Sequence, residues 1–251
     1  QPCSSVGTEA KEVALKLLIG APIWHREWII REWLDHTVLA ANFAGFDPEF
    51  LVVMDPRDPT CPILESLCRK RNIGLKQVFT EENREPVDKR SWTPDRLQHM
   101  VYLRNLLLKA TRRLRPDFFL SLDSDILLHP ATINNLINTQ DERGWAGVGG
   151  KTFMTRRGTH APSYAMMKRH STGLLRSDST NVMPVDVIMA IKLMTPEAYN
   201  INYEMQRHGE DIGWSLACKT AGLKLGWDGR QANKHVMDVD ALGEVDDRVG
   251  F

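Results

Sequence analysis

Length, composition and charge place the chain among ordinary globular proteins. It has 251 residues, 42% of them hydrophobic and 25% charged, which allows one large α/β domain or two small ones, with one domain favoured. Its 32 basic residues balance 32 acidic residues, so net charge excludes a general electrostatic attraction to nucleic acid or membrane surfaces. No apolar run approaches the roughly 20 residues that cross a bilayer.

Cysteine usage and the start of the sequence predict a cytoplasmic location. Four cysteines are too few for a disulfide-based fold at this length, and their spacing matches no zinc pattern. They are interpreted as reduced thiols. No basic-then-apolar signal peptide opens the sequence, and residues 1–12 have the composition of a flexible tail. The four cysteines are Cys3, Cys61, Cys68 and Cys218.

The first half of the chain alternates predicted strands and helices. Strands are predicted from short apolar runs, and helices from apolar residues at helical spacing. In chain order these are a strand at Val13–Pro22, a helix at Trp24–Asn42, a strand at Phe50–Asp55, a helix at Thr60–Asn72, a strand at Leu75–Thr80, a helix at Pro94–Arg115 and a strand at Asp117–Leu122. This alternation predicts an α/β fold with a Rossmann-like, mostly parallel central sheet flanked by helices.

The second half of the chain is less regular. Residues 143–177 contain seven Lys or Arg residues and no acid, and this basic stretch is predicted to be largely loop. Farther along, Val182–Met194 predicts one or two strands broken near Pro184. A helix that ends at a glycine is predicted at Gly209–Gly222, and a short strand at Leu223–Asp228.

An acidic turn, Asp123-Ser124-Asp125, follows the strand at Asp117–Leu122. Buried carboxylates are costly unless they are paired or hold a metal. Two acids around a small residue offer oxygen ligands to Mg²⁺ or Mn²⁺ and leave room for phosphate oxygens. Ligands in such sheets bind beyond the carboxyl ends of the strands, where Asp55 also lies, and this favours a metal site. The alternative is that the acids cap a helix within residues 126–136.

Two later motifs carry further candidate groups. Glu210 and Asp211 lie at a predicted helix start, where they either cap the helix or act as a general base toward an acceptor hydroxyl. His235 follows the last predicted strand, where it is either structural or supplies a neutral ring nitrogen to the metal. The residues alone leave both alternatives open.

The order of these motifs resembles that of the nucleotide-sugar-dependent glycosyltransferases of the GT-A fold, in particular those of family 2. The resemblance spans about residues 13–237. It implies one GT-A domain over residues 13–251, with a nucleotide-sugar-binding half at 13–128 and an acceptor-binding half at 129–251. The stretches that carry it are LLIGAPIWHREWIIREWLDHTVLA, RNLLLKATRRLRPDFFLSLDSDI, HGEDIGWSLACKTAGLKLGWD and KHVM.

The resemblance implies a metal centre built around the acidic turn. By this resemblance Asp125 binds a divalent cation, Mn²⁺ or Mg²⁺, directly, and His235 is the later metal ligand. Asp123 contacts the ribose or reaches the metal through water. Ser124 is the small middle residue beside which the diphosphate of a nucleoside-diphosphate sugar lies.

The resemblance also implies contacts to the nucleotide. Arg104 and Asn105 resemble an Arg-Asn pair on the helix before the metal motif. Pro22 and Asp55 fall at the ends of the first two strands, where the family holds the base and the ribose.

The activity that the resemblance implies is transfer of a sugar from the nucleotide sugar to an acceptor hydroxyl. Asp211 matches the catalytic base of inverting members, with Glu210 beside it. Retaining members share the metal motif without needing a base, so inversion is favoured without being fixed. The acceptor is open among a glycan, a small metabolite, a protein and a modified nucleic-acid base, as is the oligomeric state.

Two rival interpretations accompany this one. A sugar-nucleotide nucleotidyltransferase uses a similar sheet, but its Gly-rich, Arg-containing loop is not matched by GAPIWHREW, which has a single glycine. A non-catalytic module that binds a nucleotide sugar or a glycan is the other alternative. The intact acids Asp123, Asp125 and Asp211, together with His235, argue against such a module.

Overall fold

The computed structural model describes residues 15–80, 93–156, 159–162, 166–170, 173–175, 180–207 and 209–243, with side chains described outside 157–179. The helices are α1 (Ile30–Phe43), α2 (Thr60–Arg71), α3 (Pro94–Leu114), α4 (Thr132–Arg143), α5 (Pro196–Tyr199) and α6 (Glu210–Thr220), with a 3₁₀ turn at Val239–Ala241. The strands are β1 (Leu17–Pro22), β2 (Glu49–Met54), β3 (Gly74–Phe79), β4 (Phe118–Leu122), β5 (Ile126–Leu127), β6 (Gly147–Arg156), β7 (Thr159–Pro162), β8 (Met166–His170), β9 (Gly173–Leu175), β10 (Val182–Val185), β11 (Val187–Ile188), β12 (Ile191–Met194) and β13 (Leu225–Val236).

One mixed sheet organises the described residues, with the strand order β10-β13-β6-β12-β4-β1-β2-β3. Strands β4, β1, β2 and β3 pair in parallel, as do β6 and β13. Strand β12 lies between these two groups and is antiparallel to both β4 and β6. Strands β5 and β7 pair with β13 and β6, and β11, β8 and β9 form a small second sheet. The predicted α/β fold with a central, mostly parallel sheet is confirmed.

Helices cover both faces of this sheet. On one face, α1, α2 and α4 bury Trp33, Leu64 and Leu136 against the sheet. On the other face, α3, α5 and α6 bury side chains that include Leu108 and Trp214. Each large apolar side chain removed from water contributes roughly 1.5–3 kcal/mol, so the two layers hold the strand ends in fixed positions.

Helix α3 shows how local sequence sets the predicted boundaries. Thr93 accepts a hydrogen bond from the Arg96 backbone N–H at 3.3 Å, and proline occupies the first turn. Arg112 and Arg113 lie in the last turn, where they favour the negative end of the helix dipole. The predicted helix is therefore observed, ending at Leu114.

The predicted start of the first helix at Trp24 is wrong, because α1 begins at Ile30. Asp58, in the loop after β2, and Thr60, at the start of α2, bind the backbone of this segment: Asp58 accepts from His25 N–H at 2.7 Å, and Thr60 accepts from Arg26 N–H at 2.9 Å. His25 has a φ of +48°, which an α-helix excludes. Residues 24–29 thus form a turn at the carboxyl end of β1.

The second half contains more strand than the sequence predicts. The run at Val182–Met194 breaks at residues 186 and 189–190 into three strands, and Pro184 lies within β10 at the edge of the sheet, where proline is tolerated. Strand β13 continues to Val236 through a register shift between Asp228 and Ala232. The described part of the basic stretch 143–177 is largely strand, including the buried β6.

The predictions about membrane-spanning segments and about cysteines can be compared with the structure only for the described residues. In the described part of the chain, no helix combines the length and apolar character needed to cross a membrane. Cys61, Cys68 and Cys218 are buried free thiols, whereas Cys3 lies outside the described residues. The predicted tail at residues 1–12 also lies outside them.

Candidate functional site

The acidic turn is held in place from several parts of the chain. Asp123 N–H donates to Ala190 O at 3.0 Å, and Trp33 Nε1–H donates to Asp123 O at 3.1 Å. Val236 N–H donates to Asp125 O at 2.9 Å. The interpretation that these acids cap a helix is wrong, because strand β5 follows directly and α4 begins only at Thr132.

The pairing of β5 with β13 brings His235 to the acidic turn. Its register places His235 opposite Ile126, the residue after Asp125. His235 Nε2 then lies 3.4 Å from Asp125 Oδ1, and Arg26 Nη2 lies 3.0 Å from Asp125 Oδ2. Burial alone would raise the pKa of Asp125, but His235 and Arg26 lower it overall. Burial also disfavours a charged His235, yet Asp125 raises the pKa of that ring.

Arg104 holds the other acid of the turn. Its guanidinium is almost completely buried, donates to Ser121 Oγ at 3.1 Å and pairs with Asp123. Burial opposes this charge, but Asp123 raises the pKa of Arg104 well above its ordinary value. Arg104 Nε also lies 3.8 Å from Glu210 Oε1, so one arginine links the acidic turn to the start of α6.

Glu210 and Asp211 are adjacent but have different surroundings. Asp211 Oδ1 accepts a hydrogen bond from Lys192 Nζ at 2.6 Å, and the Lys192 side chain is fully buried. Burial raises the pKa of Asp211, but Lys192 and Arg104 lower it overall, so Asp211 is ionised. Burial and the Asp211 charge raise the pKa of Glu210 to about 7. The start of α6 therefore carries one fixed carboxylate and one that titrates near neutral pH.

Two of the predicted nucleotide-contacting residues lie at neighbouring strand ends, and the other two lie on α3. Pro22 ends β1, and the buried Asp55 follows β2, where Arg57 binds both of its oxygens at 2.9 and 2.6 Å. The side-chain hydrogen bond from Arg57 lowers the pKa of Asp55 to about 2. Asn105 exchanges two hydrogen bonds with the backbone of Tyr203, so its amide joins α3 to the segment before α6.

The donor atoms of the predicted metal site suit a hard or borderline divalent cation. Asp125 and His235 face each other, with carboxylate oxygen and imidazole nitrogen at 3.4 Å. Two ligands at right angles on one ion, each about 2.1 Å from it, are about 3 Å apart. The two side chains therefore fit a common ion of the Mn²⁺ or Mg²⁺ type.

A different trio is the most compact set of metal-ligand side chains in the described ranges. His25, Glu27 and Asp58 offer donor atoms that all lie within 4.8 Å of one another. Both oxygens of Asp58 already accept backbone N–H groups, from His25 at 2.7 Å and Thr60 at 2.8 Å. These hydrogen bonds give Asp58 a structural role, because they join the turn at residues 24–29 to the start of α2.

Sequence analysis misses two residues of the site. Arg26 falls within the predicted first helix, and only the turn at residues 24–29 allows it to reach Asp125. Lys192 lies in the apolar run of β12, and a single lysine in such a run is itself a signal of a buried ion pair. Its partner Asp211 is on another element, which the run does not reveal.

Comparisons with known proteins identify the fold. Neither the known family profiles nor the curated protein sequences match the chain. Solved structures do match it. Residues 1–349 of S. aureus TarS in complex with UDP-GlcNAc give a TM-score of 0.59 at 18% identity, over 94% of this chain and 61% of that one.

Further structures of the same protein agree. The complex of TarS with UDP gives a TM-score of 0.56 at 16% identity, over 89% of this chain and 61% of that one. A longer TarS structure gives a TM-score of 0.59 at 18% identity, over 89% of this chain and 37% of that one. TarS is a GT-A-like glycosyltransferase, so the predicted GT-A fold is confirmed. The chain spans about three fifths of the length of the first of these structures.

Proposed function

We propose that the chain is a metal-dependent glycosyltransferase that moves a sugar from a nucleoside-diphosphate sugar to an acceptor hydroxyl. The observation that carries this proposal is the approach of His235 to Asp125, at 3.4 Å, beside a turn that the sheet holds at the carboxyl end of β4. Related folds hold UDP-GlcNAc and UDP in TarS, which supports a uridine nucleotide as the first donor to test.

The proposed reaction uses the start of α6. The acceptor oxygen forms a bond to the anomeric carbon, and the bond from that carbon to the diphosphate oxygen breaks, with its electron pair leaving on the nucleoside diphosphate. Asp211 accepts the hydroxyl proton, because its pairing with Lys192 keeps it ionised. This assignment favours inversion at the anomeric carbon.

The remaining residues bind and orient the donor. Asp125 and His235 would hold the cation, which stabilises the charge that develops on the leaving diphosphate. Arg104 fixes Asp123 for contact with the ribose, and Ser124 keeps the turn small where the diphosphate approaches. Pro22 and Asp55, at the strand ends, would contact the base and ribose, and Asn105 would lie near the nucleotide while its amide holds the Tyr203 backbone.

Donor binding is tested by thermal unfolding with nucleoside diphosphates and sugar nucleotides, each with and without Mn²⁺. At a hundredfold excess over Kd, a ligand stabilises by about 2.7 kcal/mol, or roughly 5–10 °C for a chain of this size. We expect a Mn²⁺-dependent shift with one nucleotide, lost in Asp125→Asn. Asp35→Asn is the control, because Asp35 is an exposed acid on α1 that pairs with Arg71.

Either of two results would contradict the proposal. If no nucleotide shifts the unfolding midpoint, donor binding fails as a whole. If the Mn²⁺-dependent shift in the unfolding midpoint is as large in Asp125→Asn as in wild type, the cation is not bound at the acidic turn. Turnover of the bound sugar nucleotide, followed by the anomeric configuration of the product, then separates a transferase from a non-catalytic binding module.

A further inference from the structure

Arg26 pairs with the carboxylate oxygen of Asp125 that lies next to the one facing His235. Its Nη2 donates to Asp125 Oδ2 at 3.0 Å, and its Nη1 donates to Trp24 O at 3.2 Å. The two acids of the turn, Asp123 and Asp125, are thus each paired with a guanidinium, of Arg104 and Arg26 respectively. A dication at Asp125 would therefore share this carboxylate with a positive charge that is already paired with it.

The two arginines differ in how exposed they are. Each makes a single hydrogen bond to its acid, but the Arg104 side chain is 2% exposed and that of Arg26 is 30% exposed. Arg57, by comparison, donates two hydrogen bonds to the two carboxylate oxygens of Asp55. Within the part of the chain that the structure describes, the Nε atoms of Arg26 and Arg104 are both buried without a hydrogen-bond partner, so exposure is what separates the two side chains. A one-point ion pair on a partly exposed side chain is weaker than a buried or bidentate one, so Arg26 is the replaceable partner.

The Arg26 guanidinium can leave Asp125 without movement of the backbone. The backbone of Arg26 is fixed by Thr60, at 2.9 Å, so the guanidinium moves by rotation of its own side chain. Exchange therefore needs no rearrangement of the sheet or the acidic turn.

We propose that Arg26 is the resident counter-ion of Asp125 and that the divalent cation binds by displacing it. This inference rests on the proposed function, because it assumes that the cation binds at Asp125. The arginine keeps the half-buried acid neutralised before the cation arrives, and it lowers the affinity for the free cation. The fold therefore contains an internal competitor for its own metal site.

The test is Mn²⁺ binding to the whole protein without nucleotide, measured from the free Mn²⁺ signal in electron paramagnetic resonance. Arg26→Ala should bind Mn²⁺ about fivefold to tenfold more tightly than wild type, because the competitor is gone. Arg26→Lys keeps the charge and should stay near the wild-type affinity. Arg71→Ala removes an exposed arginine from a single-contact pair with Asp35 and should leave the affinity unchanged.

Asp125→Asn separates failure of this inference from failure of the proposed function. If Asp125→Asn loses Mn²⁺ affinity but Arg26→Ala does not gain it, the competition is wrong and the metal assignment stands. If Asp125→Asn binds like wild type, the metal assignment itself is wrong. Loss of binding in His25→Ala would then place the ion at the His25, Glu27 and Asp58 cluster.

A second measurement covers variants that fold poorly. Arg26→Gln keeps much of the length of the side chain and removes its charge. The rise in unfolding midpoint on adding Mn²⁺ should be larger in Arg26→Gln than in wild type, even if the variant starts from a lower midpoint. An equal or smaller rise would overturn the inference.

Discussion

Lys192 is fully buried, and its ammonium group lies 2.6 Å from Asp211. Lys192→Met keeps most of the apolar stem but leaves Asp211 without its partner. A buried charge that loses its partner destabilises a protein by about 3–5 kcal/mol. We expect a loss of about 3 kcal/mol at pH 7 by urea unfolding. The acidic limb of the pH–activity profile should also move to higher pH, because Asp211 becomes harder to ionise.

Lys219 provides the matched control for this substitution. It also pairs with an aspartate, Asp186, but its side chain is 56% exposed. Because exposed pairs contribute about 0–1 kcal/mol, Lys219→Met should change the free energy of unfolding little and leave the pH profile in place. Equal effects of the two substitutions would show that burial of the Lys192 pair has no energetic consequence.

Glu210 links stability to pH in the opposite direction from an ordinary carboxylate. Its pKa rises from 4.5 to about 7 in the folded protein, mainly through burial and the charge of Asp211. The folded state therefore binds this proton more tightly than the unfolded state does. The stabilisation is complete below about pH 4.5 and is lost as the pH rises through about 7.

Glu210→Gln removes this dependence. Between about pH 5 and about pH 8, the free energy of unfolding of the variant should rise relative to wild type by about 2 kcal/mol, since each pKa unit is about 1.4 kcal/mol. Urea unfolding at the two pH values measures the difference. Glu142→Gln, on the exposed end of α4, is the control. If the free energy of unfolding of the variant changes with pH as that of wild type does, Glu210 is not the source of this pH dependence.

Helix α6 depends on a close approach to the segment before it. A Cβ added at Gly213 would lie 2.0 Å from the backbone oxygen of Glu204, which cannot move as a side chain does. Gly213→Ala must therefore push α6 away from the segment that contains Tyr203. Overpacking of this kind costs about 1–3 kcal/mol. We expect that loss in urea unfolding, together with reduced transfer activity.

Thr220→Ala is the control in the last turn of the same helix. Thr220 is exposed, and its hydroxyl donates within α6 to Leu216 O at 3.0 Å. Its substitution should change the free energy of unfolding by less than about 0.5 kcal/mol. If Gly213→Ala is equally mild, the contact with Glu204 is looser than the structure indicates.

Helices and strands whose ends are determined by residues close in the sequence are predicted correctly. The residues that start and end α3, and the apolar residues of β4, are neighbours in the sequence. The positions of both elements could therefore be predicted from the sequence. The sequence pattern misplaces the start of α1, because His25 and Arg26 are bound by Asp58 and Thr60 from a separate part of the chain. The helical spacing of the tryptophans in this segment carries no information about those contacts.

The same division explains what could be predicted of the candidate site. Asp55 and the acidic turn could be placed at one edge because the carboxyl ends of parallel strands meet there. The approach of His235 depends on how far β13 continues past its register shift, which the polar residues after Asp228 obscure. The pairing of Lys192 with Asp211 joins two elements 19 positions apart and follows only from the assembled sheet.

The assembled molecule does not divide at the boundary between the two proposed halves. Strand β12 pairs with β4 of the first half and with β6 of the second. It also carries Lys192, and its preceding residue Ala190 holds Asp123. The edge of the first half that carries the acidic turn is therefore completed by backbone and side chains that come from the second half.

The place of β12 has a consequence for synthesis of the chain. Strand β4, with the sequence Phe-Phe-Leu-Ser-Leu and every residue buried, leaves the ribosome well before the strand that covers its open side. Until then a nascent chain carries an unpaired apolar edge, which is the kind of surface that aggregates or recruits chaperones. The order of translation thus leaves a strand at the centre of the finished sheet exposed in the unfinished one.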